Sequence, residues 1–322
     1  MVPTQDVKPE LNDDIENTDE KSSTAAAPCE FKKIAGPQVR LNKLIADSGL
    51  VSRRKADGLI AEGRVVINGK KVYELGIKVD SENDRVVVDG KPLRRKFEAI
   101  YIMFYKPTGV LTTMFDPLER PTVKDFCDNL PARVFPIGRL DWDSEGLLLL
   151  TNDGDYANRV MHPKEEVTKT YLVKLNKTPK PEQLEKLLRG VPIVGGRVKA
   201  NHIEKLKRGG AQYPWIKIII SEGKNRQIRQ MFEKIGLDVM KLQRVAIGRL
   251  RLGSLERGGM LFLNDVAAER VFQADTPEDV KLKKSYKGRQ VSSKKLQPSS
   301  SAPKTRPPSA SKPKQRPSQQ MR

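Results

Sequence analysis

Few side chains here could do chemistry, and their spacing narrows which. In FPIGRLDWDSEGLLLL, Arg139 and Asp141 alternate with Leu140, so in strand spacing a cation and a carboxylate emerge on one face at a strand end. A carboxylate held against an apolar sheet and beside a guanidinium stays ionised and desolvated, the state wanted in a nucleophile or base. The plainer alternative is that Asp141 only caps or pairs. In KTYLVKL, Tyr171 shares a strand face with Lys169, Val173 and Leu175, where ordinary packing is the commoner fate of a tyrosine. In EGKNRQIRQMFEKIG, Ile228, Met231, Phe232 and Ile235 form the buried stripe of a helix ended by Gly236. Arg226 and Arg229 lie off that stripe near the helix start, as in a salt-bridged surface helix or a site. Lys106 precedes a turn forced by Pro107 and Gly109 and projects beside it.

Other chemistries have little to work with. Cys29 and Cys127 are far apart and there are two histidines, so a metal would have to rest on carboxylates alone. Neither a G-x-G-x-x-G nor a P-loop motif occurs. Lysine and arginine number 60 against 40 acids, a net charge of +20 over 322 residues, which points to a polyanionic partner. Nucleic acid comes before an anionic membrane surface: no stretch approaches the roughly 18 apolar residues of a membrane span. The acidic opening MVPTQDVKPELNDDIENTDE does not serve as a signal peptide, and the expectation is a cytoplasmic protein with no membrane partner. A DNA-binding regulator is disfavoured, since neither a recognition-helix pair in the main domain nor a dimerisation heptad is visible.

The elements that must position these residues fall between two arms. Residues 1–38 are expected to be an acidic disordered arm, with eight acids and two lysines up to Glu30. Residues 273–322 are expected to be a basic disordered tail, with thirteen cations and no acid from Lys281 onward, suited to contact with a phosphate backbone. Residues 39–95 form a compact basic unit. Leu41, Leu44 and Ile45 stand at helical spacing before Gly49, and Ser52 is a good N-cap for a second helix burying Ala56, Leu59 and Ile60. Arg53, Arg54 and Lys55 crowd its first turn, where the helix dipole disfavours cations, unless phosphate oxygens dock there. RVVINGKKV then reads as a hairpin about Asn68-Gly69. Lys91-Pro-Leu-Arg-Arg-Lys96 reads as a linker, and residues 96–272 as a long unit of strands and helices. There Leu147–Leu150 form a strand buried on both faces, with Asp153-Gly154 as its turn.

The segment Gly63-Arg64-Val65-Val66-Ile67-Asn68-Gly69-Lys70, after its two helices, resembles the S-four RNA-binding module of a ribosomal small-subunit protein. The resemblance implies an αL-shaped motif that docks structured RNA through Arg53, Arg54, Lys55 and Arg64. YKPTGVLTT, GRLDWDSEGLLLLTNDG, KTYLVKL and EGKNRQIRQMF, in this order and spacing, resemble the motifs of RNA pseudouridine synthases of the branch with such a module. That family implies an α+β fold, a mixed, largely antiparallel sheet flanked by helices. It implies isomerisation of uridine to 5-ribosyluracil without cofactor or metal.

By the same resemblance Asp141 is the catalytic aspartate, and Arg139 helps displace the target nucleotide. Tyr171 packs on the flipped uracil and serves in proton transfer from carbon 5. Arg229 pairs with the aspartate and Leu242 closes the pocket floor, while Lys106 and Arg226 are counted among the RNA contacts. DPLERPTV, DGDYANRVMHP and the basic tail resemble most the large-subunit synthase B group. A monomer acting on 23S ribosomal RNA, or on a ribosomal subunit precursor, is the expectation. A 16S-directed synthase and a non-catalytic assembly factor stay open, as does covalent attack against a glycal route.

Overall fold

The computed structural model describes residues 36–94, 98–207, 214–273 and 290–291. The expected arms therefore lie outside the described residues, apart from 36–38, 273 and 290–291.

The N-terminal module runs β1 (Gln38–Arg40), α1 (Leu41–Asp47), α2 (Arg53–Ala61), β2 (Val65–Ile67), β3 (Lys70–Val72), β4 (Lys78–Asp80), β5 (Val86–Val88) and β6 (Lys91–Pro92). Gly49 takes the left-handed conformation just after α1, and the Ser52 hydroxyl accepts from the Lys55 N–H at the start of α2. Asn68 and Gly69 both have positive φ, as the tight turn between β2 and β3 requires. Leu41, Ile45, Ala56 and Ile60 close over Val65, Val79, Val86 and Val88 as a small core. Lys91 and Pro92, read from sequence as linker, instead pair with Val88 and Val87, because the chain turns back through Asp89-Gly90 before leaving the module.

The larger unit contains β7 (Tyr101–Lys106), β8 (Phe135–Ile137), β9 (Ser144–Thr151), α3 (Gly154–Met161), β10 (Lys169–Leu175), α4 (Pro181–Arg189), β11 (Val191–Ile193), β12 (Gly196–Val198), β13 (His202–Leu206), β14 (Trp215–Ile220), α5 (Gln227–Glu233), β15 (Val239–Ile247), β16 (Leu250–Arg251), β17 (Met260–Leu263), α6 (Asp265–Ala268) and β18 (Gln290–Val291). One sheet runs β13-β14-β10-β15-β9-β7-β17-β18, with β8 against β9 and β16 against β15. Every pairing in it is antiparallel except β9 with β15. This is the mixed, largely antiparallel α+β arrangement expected. Apolar clusters cover both faces, which is why all of β9 is buried. Each fully buried leucine there contributes about 1.5–3 kcal/mol.

Two local expectations change. Asp153-Gly154 is not a hairpin turn: the Asp153 carboxylate caps α3, accepting from the N–H groups of Asp155 and Tyr156 at 2.9 and 3.0 Å. Residues 290–291 lie within the expected tail, yet pair with Leu261 and Met260 at the sheet edge. The module meets the larger unit through Lys43 Nζ, 3.1 Å from Asp155, and through an Arg133 guanidinium nitrogen 3.4 Å from the Val51 carbonyl oxygen.

Candidate active site

The strand expected to carry Arg139 and Asp141 stops at Ile137, and residues 138–143 form a loop between β8 and β9. The alternation survives without the strand. Arg139 is exposed, Leu140 is buried in the core that also holds Tyr171 and Leu242, and Asp141 is half-buried at the surface of that core.

Apart from the Asp143 carboxylate, the loop is held at its backbone atoms by residues outside it. Thr112 Oγ1 donates to the Leu140 carbonyl at 2.7 Å and accepts from its N–H, and the Gly109 N–H donates to Trp142 O at 2.9 Å. From the end of β7, Lys106 Nζ donates to the carbonyl oxygens of Pro107, Asp141 and Ser144 at 2.9, 3.1 and 2.9 Å. Lys106 is fully buried, so it is not the RNA contact expected from sequence. Three converging carbonyls draw its ammonium inward, where burial lowers its pKa to about 8 against the pull of Asp141 and Asp143.

Sheet register brings the other candidates alongside. Ser144, three residues after Asp141, sits across the parallel pairing from Leu242, which lies opposite Val173. Two residues along, Tyr171 lies opposite Arg244, which in turn faces Gly146 of β9. Tyr171 and Leu242 thus stand on neighbouring strands beside the start of β9, both mostly buried. Gly146 has φ of 112°, and a β-carbon there would overlap the Arg244 backbone.

The arginines of the α5 segment divide differently from expectation. Arg229 meets Asp143 rather than Asp141: one Nη lies 3.1 Å from the Asp143 carboxylate and 3.1 Å from its carbonyl oxygen, and the other donates to Val239 O at 2.8 Å. Anchored to the start of β15, the guanidinium reaches the nearer carboxylate. Burial, the largest influence on it, lowers its pKa. Arg226, at the left-handed residue before α5, forks onto Asp143 at 3.3 Å and lies 3.8 Å from Asp141. It is therefore part of the carboxylate cluster rather than a detached RNA contact.

In the module, Arg53, Arg54 and Lys55 are exposed at the start of α2. Arg64 differs: its guanidinium grips both Asp89 carboxylate oxygens at 2.7 and 2.8 Å and Glu62 at 3.0 Å, so its donors are engaged within the protein. Those carboxylates raise its pKa.

Sequence reasoning missed Arg244 and Lys169. Arg244 is 4% exposed, donates to Leu147 O at 2.6 Å and lies 3.5 Å from the Tyr171 hydroxyl. Lys169 donates to Val167 O and Ser221 O, and burial with the Arg244 charge lowers it to about 8. A lone arginine at a buried strand position in KLQRVAIG was the available signal. Among the described residues no group of three or more His, Cys, Asp or Glu side chains is placed to hold a metal ion. Nor is any helix among them long and apolar enough to cross a membrane.

Comparison with known proteins bears on this arrangement. Residues 100–234 match the RNA pseudouridylate synthase family and residues 39–86 the S4 domain. The chain is 46% identical over 224 residues to ribosomal large subunit pseudouridine synthase B of Bacillus subtilis (strain 168), covering 68% of this chain and 89% of that one. It is 39% identical over 220 residues to the Pseudomonas aeruginosa protein of the same name, covering 67% of this chain and 56% of that one. A crystal structure of a pseudouridylate synthase superposes with a TM-score of 0.52 at 30% identity, over 72% of this chain and 99% of that one. The half-buried Asp141 lies within the matched residues, and the chain belongs to the RNA pseudouridylate synthase family, with an S4 domain at its N-terminal side.

Proposed function

We propose that the protein isomerises a uridine of large-subunit ribosomal RNA to pseudouridine, with Asp141 as the catalytic group. The observation that carries this is the Asp141 loop: a carboxylate left partly accessible while its backbone is fixed at Leu140, Asp141, Trp142 and Ser144. A preorganised carboxylate of this kind acts without first being ordered. The names of the Bacillus and Pseudomonas relatives support the choice of RNA.

In this account the S4 module grips RNA through Arg53, Arg54 and Lys55, and the target nucleotide leaves its stack at a cost of a few kcal/mol. Arg139, exposed two residues before Asp141, enters the space vacated in the helix. Uracil then lies against Tyr171 with Leu242 beneath. Asp141 acts at the ribose or the base, and the bond from N1 to the sugar is exchanged for one from C5. Arg226 and Arg229, sharing Asp143, keep positive charge beside Asp141 as the base detaches. The isomerisation leaves the oxidation state and atom count of the nucleotide unchanged.

The test is to incubate the protein with unmodified 23S and 16S ribosomal RNA transcripts, and with partly assembled subunits, and map pseudouridine by carbodiimide-dependent reverse-transcription stops. A new stop in 23S RNA that vanishes with Asp141→Asn, while RNA binding persists, is the expected result. A stop confined to 16S RNA overturns the target, and no stop on any substrate overturns the activity.

A further inference from the structure

Arg244 is a buried charge for which the account above has no use. It sits on the central strand β15, 4% exposed, with β9 on one side and β10 on the other. Of its guanidinium nitrogens, Nε is satisfied by Leu147 O at 2.6 Å. One Nη lies 3.5 Å from the Tyr171 hydroxyl, and the other is buried with no partner among the described residues. A sheet interior is a poor place for such a group. An apolar residue of similar volume would satisfy the packing without an unpaired donor, so stability alone does not explain an arginine here.

The position is built around the pair. Tyr171 and Arg244 are direct cross-strand partners, with a register irregularity next to Tyr171, and Gly146 on the other side has no side chain to compete for the space. Leu242 and Tyr171 belong to one apolar cluster, so the phenol has little freedom to swing. The polar group that meets its oxygen from within the sheet is the guanidinium. A contact of 3.5 Å is long, as catalytic hydrogen bonds are before the substrate closes the site. Lys169, two residues before Tyr171 in the same strand, is partly buried with its ammonium on two carbonyl oxygens, and burial lowers its pKa to about 8.

We propose that Arg244 is a positioning residue for Tyr171: by donating to the phenol oxygen from the sheet side, it keeps that oxygen turned toward C5 of the detached uracil. The inference rests on the assignment of Tyr171 to proton transfer at C5. Once C5 has bonded to the sugar it carries a hydrogen that must leave. That proton passes to the Tyr171 oxygen as the phenol releases its own to water, and N1, freed from the sugar, gains one. The base loses one proton and acquires one, and water is the sole additional participant.

The experiment is single-turnover conversion by the full-length protein at saturating enzyme. The RNA is a 23S transcript, naked or in the assembled form the wild type modifies, made with uridine carrying either hydrogen or deuterium at C5. Tyr171→Phe supplies the reference: it should slow conversion and show a primary isotope effect of about twofold or more. Arg244→Met should slow conversion on the order of a hundredfold, leave RNA affinity within about twofold and show the same isotope effect. Arg244→Lys should recover part of the rate. If Arg244→Met does not fold, Arg244→Lys and Arg244→Gln, checked by thermal melting, give the same comparison. Slow conversion by the Arg244 variants without the isotope effect seen in Tyr171→Phe would overturn the positioning role, as would an unchanged rate. Absence of the effect in Tyr171→Phe itself would remove the role of Tyr171 at C5, and the inference with it.

Discussion

Gly146 and Arg244 face each other across the parallel pairing of β9 with β15, with so little room between them that a β-carbon on Gly146 would overlap the Arg244 carbonyl oxygen. The φ of 112° at Gly146 is likewise one that side chains rarely adopt. Both β9, which leads out of the Asp141 loop, and β15, which carries Leu242, depend on this contact. Gly146→Ala should therefore cost at least about 3 kcal/mol in urea unfolding. A cost below about 1 kcal/mol would show that the two strands can separate without penalty.

Lys106→Met should keep the apolar stem and lose the ammonium, taking its hydrogen bonds from the Pro107, Asp141 and Ser144 carbonyl oxygens while the Asp141 oxygen keeps the Ser144 N–H at 3.1 Å. Stability should fall by about 2–4 kcal/mol, and product formation on the order of a hundredfold through misplacement of Asp141. Urea unfolding and single-turnover rates measure the two separately. Full activity in a folded Lys106→Met protein would show that the loop holds itself.

Ionisation of the same lysine predicts a split between stability and activity. Burial sets its pKa at about 8 in the folded protein, against an ordinary value of 10.5. Below pH 8 both folded and unfolded chains hold the proton. Between 8 and 10.5 the unfolded chain binds more of it, so this group makes stability rise with pH in that window. Catalysis should run the other way, because a neutral amine has two hydrogens for three carbonyls. Lys169, also near 8, titrates beside Tyr171 in the same range. Rates should decline above pH 8 while the unfolding free energy, followed by urea titration, does not decline in parallel. A parallel fall in both would assign the loss to unfolding.

Arg53→Ala combined with Arg54→Ala should weaken RNA binding and flatten its salt dependence by a slope of about 1.5–2, since two phosphate contacts are lost. Folding should change by no more than about 0.5 kcal/mol. Arg64→Ala should leave the salt slope as it was, because its guanidinium already binds Asp89 and Glu62. Filter binding across a salt series distinguishes these results, and equal slopes for all the proteins would take the start of α2 out of the RNA interface.

Much of this architecture is legible where the determinants are local. Ser52 before a helix, Asn68-Gly69 in a tight turn, the apolar run of β9 and the stripe of α5 all follow from period and capping. What pattern cannot carry is which strand neighbours which. Arg229 binds Asp143 instead of Asp141 because of where β15 begins, and Lys106 turns inward because a loop more than thirty residues later offers it carbonyls. Arg139 and Asp141 mimic strand alternation in a segment with no strand. Arg244 is masked by apolar neighbours, and its parity with Leu242 acquires meaning only once Tyr171 is known to lie opposite.

Every hydrogen bond from Lys106 goes to a backbone oxygen, and the contacts from Gly109 and Thr112 also reach only backbone atoms of the loop. Support of this kind is indifferent to side-chain identity. The exposed indole of Trp142 and the guanidinium of Arg139 can therefore drift under mutation while Asp141 keeps its place. That separates the heritable part of the chemistry from the part that meets a particular RNA. A directed library confined to positions 139 and 142 is the natural place to ask whether the RNA chosen can change while Asp141 stays in place.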